Sequence, residues 1–193
     1  MPWEKQFDSE AALEAAMKAF WARGYEATSM QDLTERMGIN RASLYATFGN
    51  KHSLFLAALR RYDQHHRAEY LAGLAARHTP KAAILTTFDN VIHEATENGA
   101  RDGCLLVNTA LELSPHDPKI AAVVGQALSE VEVFFRERVA AGQATGEIPA
   151  HLDAAETARA LLGLFMGLRV LTRSRPEPAL LRAIARQAEA LLG

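Results

Sequence analysis

Alanine and leucine dominate this chain, and its β-branched and aromatic residues never gather into the alternating runs between turn signals that a strand requires. That restricts it to an all-α fold. Asp8 or Ser9 caps a first predicted helix over 9–23, with Leu13, Met17, Phe20 and Trp21 at helical spacing and Gly24 as its stop. Thr28-Ser29 followed by Gln31-Asp32 opens a short second helix with Leu33 and Met37 inward and Gly38 closing it. Asn40 caps a third, carrying Ala42, Leu44, Tyr45 and Phe48, which Gly49-Asn50 ends. Lys51 begins a long helix over about 51–76 with an apolar stripe of Leu54, Phe55, Ala58, Leu59 and Tyr62. Further helices are predicted over 80–97, 103–113 and 117–141, with breaks at His78-Thr79-Pro80, Asn98-Gly99 and Ser114 to Pro118. Gly142 to Pro149 reads as loop, Asp153 caps a helix to about Arg173, and a last helix follows Pro178 to Leu192.

With 193 residues, 49% of them hydrophobic, the chain can bury a real core. Its net charge of −2 and pI near 6.4 carry no overall basic signature, so nucleic-acid binding has to rest on local charge and motif. The opening MPWEKQFDSE lacks the apolar core of a signal peptide and no later stretch is apolar enough to span a membrane, so a cytoplasmic protein is expected. Cys104 is the only cysteine, which excludes an intrachain disulfide and a multi-cysteine zinc site. His93, His116 and His151 share no ligand spacing, so no metal is expected. No nucleophile-base pair, phosphate-binding glycine loop or carboxylate pair points to an enzyme, and no cofactor is implied.

The most distinctive element is the pair of short helices separated only by Gly38-Ile39-Asn40, since a tight glycine turn sets the steep crossing of a helix-turn-helix. Between Arg36 and Lys51 stand three basic residues, Arg36, Arg41 and Lys51, and no acidic one. This stretch is locally positive inside a net-acidic protein. Ahead of this stretch, acidic residues lie on the first helix and the first half of the second.

The run AMKAFWARGYEATSMQDLTERMGINRASLYATFGNKHSLFLAAL, Ala16 to Leu59, resembles the DNA-binding domain of the tetracycline-repressor (TetR) family. Phe20, Gly24-Tyr25, Thr28-Ser29, Gly38, Leu44-Tyr45, Phe48, Lys51 and Leu54 carry the resemblance. It implies a recognition helix near 41–47 in the major groove, with Arg41, Ala42 and Ser43 reaching base edges. It further implies phosphate contacts from Tyr45, Lys51, Ser29 and Gln31, with Asn40 at the turn; Thr47 stands where the family frequently has histidine. The domain organisation expected is a three-helix helix-turn-helix domain over 1–52 and a larger helical ligand-sensing and dimerisation domain over 53–193.

A single short recognition helix reads few bases, so a homodimer on a (pseudo)palindromic duplex operator is expected. Its interface is expected on the last two helices, from Leu161, Leu164, Phe165, Leu168 and Leu171 on one and Leu180, Leu181, Ile184, Ala188 and Leu191 on the other, with part of each stripe buried within the subunit. Gly163 and Gly167 permit close helix approach. Phe88, Ile92, Leu111, Phe134, Phe165 and Met166 are expected to line the sensor interior.

Gly103-Cys104-Leu105-Leu106 resembles a GCLL-type subgroup in which some members sense electrophiles or oxidants through the cysteine. Two readings of Cys104 stay open: a small buried hydrophobe, or a reactive thiol in the first turn of a helix with Arg101 nearby. The resemblance implies a repressor that a small molecule or an electrophile releases, with the long helix from Lys51 as lever. The alternatives are a helical small-molecule-binding protein without specific DNA binding, and a DNA-binding activator.

Overall fold

The computed structural model describes residues 7–97 and 102–193, and these form helices joined by short turns with no strand among the described residues. The expected break at Asn98-Gly99, and Arg101, lie outside the described residues. Two compact units result, the first ending at His66 and the second running Arg67–Gly193. In the first, α1 is Ser9–Arg23, α2 Met30–Met37, α3 Arg41–Phe48 and α4 Lys51–Tyr62. The α4 helix, grouped with the larger domain on sequence, packs here against α1 and α3.

The first unit is built around Phe20, whose ring meets Phe55 of α4 edge-on with centroids 5.0 Å apart, above fully buried Met17, Leu33, Leu44, Leu54 and Leu59. Each of these comes from the apolar side of a short helix, so the four helices share one core. At its rim the Arg61 guanidinium donates to Glu14 at 2.8 Å and to Glu10, tying α4 to α1. That contact holds the Glu14 carboxyl below its usual range.

The long helix expected over 51–76 is helical through Arg77, but it is not uniform. A π-helical stretch, Asp63–Ala68, interrupts it before α5, Glu69–Arg77, and none of its residues is buried. A single-turn π insertion of this kind shifts the helical register. The sequence carries no apolar period for it, because Asp63 to Arg67 are all polar.

In the second unit, α6 (Pro80–Thr96), α8 (Pro118–Thr145), α9 (Ala154–Ser174) and α10 (Pro178–Ala190) pack around Phe88, Phe135 and Phe165. The three rings are mutual neighbours, with centroids 5.5 to 6.2 Å apart. The short α7, Leu105–Glu112, lies on α8 and α9. The α8 helix runs past the expected end at 141 to Thr145, and Gly142 within it sits under Ile148: a Cβ there would come within 2.7 Å of the Ile148 Cδ1. Gly146, with φ +78°, then supplies the left-handed turn.

Two expectations about this unit are corrected. Leu111 does not line the interior but is 70% exposed, because Leu105, Leu106, Val107 and Thr109 take the buried side of α7 and leave it the outer one. Cys104 is not in the first turn of α7 but at its N-cap, half-buried, and makes no side-chain cap bond. Phe88, Ile92, Phe134 and Phe165 are buried as expected, with Met166 partly so.

Candidate nucleic-acid interface

The helix-turn-helix is fixed locally by caps that the chain repeats. Asn40-Arg-Ala-Ser43 and Asn50-Lys-His-Ser53 share one pattern, and in each the asparagine carbonyl accepts the backbone N–H three residues on, at 2.8 Å. Between α2 and α3, Gly38 adopts φ +65°, a conformation that side chains with a Cβ rarely take, and this turns the chain sharply into Asn40. Buried Leu33, Met37 and Leu44 hold the two helices together beneath the turn.

What α3 leaves outward follows from that anchoring. Leu44 faces in, Ser43, Thr47 and Phe48 are half-buried, and Arg41, Ala42, Tyr45 and Ala46 are exposed. At 3.6 residues per turn those four occupy an arc of about 140° in the order Arg41, Tyr45, Ala42, Ala46. No acidic side chain lies on α3. Ala46, which the sequence does not single out, lies four residues from Ala42 and shares its exposed face.

Lys51 begins α4, and its ammonium lies 4.3 Å from the centroid of the Tyr25 ring. Tyr25 is itself wedged against Phe55 and Phe20. This cation-π contact restrains a long, flexible side chain near α3. Neither Tyr25 nor Asn50 was picked as part of the site, although both belong to the quoted motif.

At the start of α2, the two residues expected to contact phosphate have hydrogen-bond partners within the chain. Ser29 Oγ accepts the Asp32 backbone N–H at 3.0 Å and donates to the Asp32 carboxylate at 2.6 Å, which also accepts the Ser29 backbone N–H at 2.9 Å. The Ser29 hydroxyl, then its backbone N–H, then Arg23 at 2.7 Å pull the Asp32 carboxyl from its usual 3.8 down to about 2. Gln31 donates to Glu35 at 2.9 Å. Both side chains expected to hold phosphate are thus exposed but hydrogen-bonded to carboxylates of the same helix.

In the second unit the expected interface stripes are split. Leu161, Phe165, Leu168, Leu181 and Ala188 are buried in the subunit's own core, whereas Leu164, Leu171, Leu180, Ile184 and Leu191 are half-buried. Nothing lies within 4 Å of a Cβ placed on Gly163 or Gly167. Around Cys104, Asn108 donates to the Asp102 carbonyl at 2.9 Å and Arg173 to the same oxygen at 3.4 Å. Among the described residues no group of three or more His, Cys, Asp or Glu is placed to hold a metal ion, and no helix is long and apolar enough to cross a membrane.

Residues 12–58 match the family described as bacterial regulatory proteins, tetR family, and residues 80–188 match the tetracyclin repressor-like C-terminal domain. The HTH-type transcriptional repressor ComR of Escherichia coli is 35% identical over 88% of this chain and 81% of its own. YezE of Bacillus subtilis, an uncharacterized HTH-type transcriptional regulator, is 33% identical over 75% of this chain and 74% of its own. The solved structure of the TetR family regulator CifR, a cysteine mutant complexed with 26-base-pair operator DNA, superposes with a TM-score of 0.84 at 31% identity, covering 97% of each chain. The two matched segments together take in the helix-turn-helix and most of the second unit, and the chain belongs to the TetR family of bacterial regulatory proteins.

Proposed function

We propose that this chain is a cytoplasmic, non-enzymatic repressor that binds a pseudopalindromic operator as a homodimer and releases it on a small-molecule or thiol-directed signal. One observation carries the reading: α3 presents an acid-free exposed arc of Arg41, Tyr45, Ala42 and Ala46 on a helix capped at its start and anchored by Leu44. Arg41 at the start of α3 donates to a guanine edge, and Tyr45 and Lys51 contact phosphate. Asn40 serves by capping α3, and Ser43 and Thr47 flank the reading face. Ser29 and Gln31 reach phosphate by exchanging their bonds to Asp32 and Glu35. The operator complex of CifR and the repressor name of ComR support this assignment.

Dimerisation is supported by the half-buried apolar residues left on α9 and α10, with Leu164, Leu171 and Ile184 the strongest candidates. Two recognition helices then meet half-sites about one duplex turn, ~34 Å, or more apart. The signal acts by favouring a state with another spacing, transmitted through α4, the π-helical stretch and α5. Half-buried Cys104 at the N-cap of α7 is the thiol candidate.

The experiment is fluorescence anisotropy of the reduced protein on its own upstream DNA across a salt series, repeated after a mild thiol oxidant and with Cys104→Ser. Affinity should fall steeply with salt, as phosphate contacts require. Oxidant release that the Cys104→Ser variant abolishes assigns the signal to the thiol, and release that survives assigns it elsewhere. Binding indifferent to sequence and salt rejects the repressor reading.

A further inference from the structure

Resting on the operator-binding reading above, we infer that Ala42 and Ala46 are specificity residues that read the C5-methyl groups of two thymines in each half-site, beside the guanine taken by Arg41. The one-sided composition of the exposed arc of α3 leads there. Arg41 at one edge is its only cation and Tyr45 follows, but the other half of the arc consists of two exposed methyl groups and no hydrogen-bonding side chain. In the major groove the thymine methyl is the apolar feature of a base pair, and an alanine methyl is its complement.

The geometry sets the spacing. Ala42 and Ala46 lie four residues apart on the same helix, so their methyls are separated by about 6 Å along its axis. Two base-pair steps of ~3.4 Å span nearly the same distance. The two thymines are therefore expected with one base pair between them. The short side chains also let the helix backbone approach closely enough for Cβ to touch the base. Ser43 and Thr47 are half-buried at the flank of the arc, which leaves the exposed alanines as the floor of the reading face.

The test begins with selection of bound duplexes from a randomised pool by the full-length protein, followed by replacement of each thymine in the selected site with deoxyuridine, which deletes only the methyl. Loss of one buried methyl corresponds to an affinity about fourfold weaker. That loss is expected at two thymines per half-site and at no other thymine. With Ala46→Gly, one of those two should become indifferent to the deoxyuridine exchange, a coupling that double-mutant analysis isolates. Selected half-sites without the paired thymines, or deoxyuridine exchange without effect at every thymine in the wild-type protein, overturn the inference and leave operator binding intact. A pool in which no sequence is enriched overturns operator binding itself and the inference with it.

Discussion

The two units of this protein are stabilised in different ways. In the first, α1 to α4 all begin at a side chain that accepts backbone N–H groups, from Asp8, Ser29, Asn40 and Asn50. In the second, Thr79, Cys104 and Glu177 stand at helix starts without a cap bond from their own side chains, α8 and α9 are capped by Asp117 and Asp153, and the first turn of α6 is instead capped from a distance by the Glu147 carboxylate, which accepts the Lys81 backbone N–H at 3.2 Å. Isolated helices shorter than about 12–15 residues are marginal in water, and α2 and α3 have 8 residues each. Local caps therefore support the short helices of the first unit, whereas α7, also 8 residues long, has no side-chain cap and is held by the face that Leu105, Leu106 and Val107 bury. The longer helices of the second unit, such as the 28 residues of α8, are held by the faces they bury.

The sharpest way to break this contrast is Phe88→Ala. Phe88 is fully buried between Phe135 and Phe165, so its loss removes the ring at the centre of the second unit's core. A destabilisation of about 3–5 kcal/mol is expected. Hydrogen exchange should show lost protection in α6, α8 and α9 and unchanged protection in α1 to α4. Equal loss in both units would mean that they do not stabilise themselves separately.

A smaller effect in the same unit comes from Gly142→Ala. The added methyl meets Ile148, itself buried, and overpacking of this kind costs about 1–3 kcal/mol. Gly163→Ala is the internal comparison, because open space surrounds that position and alanine favours helix by roughly 0.5–1 kcal/mol. Thermal denaturation should lower the midpoint for Gly142→Ala and hold or raise it for Gly163→Ala. Should the second variant also lose stability, or its dimer dissociate more readily, the face around Gly163 is packed against a second subunit.

The first unit answers to caps. Asn40→Ala removes the acceptor for the Ser43 N–H at the start of α3, at a typical cost of about 1 kcal/mol. Because α3 is the proposed reading helix, operator affinity should fall along with the first unit's stability, measured by anisotropy and by hydrogen exchange in α2 and α3. Stability lost without any change in operator affinity would detach α3 from DNA recognition.

The same difference explains which parts were legible in the sequence. Cap patterns, the Gly38 turn and the inward Leu33, Met37 and Leu44 are local, so the limits of α1, α2 and α3 follow from residues a few positions apart. The exposure of Leu111 and the division of the α9 and α10 leucines between core and surface depend on partners distant in sequence, through the packing of α7 on α8 and α9 and of α10 on α6. Within the candidate site, Arg41 and Tyr45 are singled out by the family resemblance of the motif around them and not by their chemistry alone. The role proposed for Ala46 is not legible in the sequence, because an exposed alanine has no chemistry of its own until the helix face around it is known.

The mildest test concerns the charge in the α2 cap. The Ser29 hydroxyl and backbone N–H, with Arg23 behind them, bring the Asp32 carboxyl to about 2 from the usual 3.8. A carboxylate whose folded value lies below its unfolded one contributes stability that is present above the unfolded value. That contribution is lost as pH falls through about 2, so the affected window runs from about 4 downward and neutral pH lies outside it. A carboxyl-detected NMR titration should place the Asp32 midpoint near 2 in the wild-type protein. Ser29→Ala should move it back toward 3.8, and by more than Arg23→Ala does, since the serine is the larger cause. A wild-type midpoint at the ordinary carboxyl value would mean that Ser29 is not bound to Asp32 in solution, and its hydroxyl would then be free for phosphate without any exchange of partners.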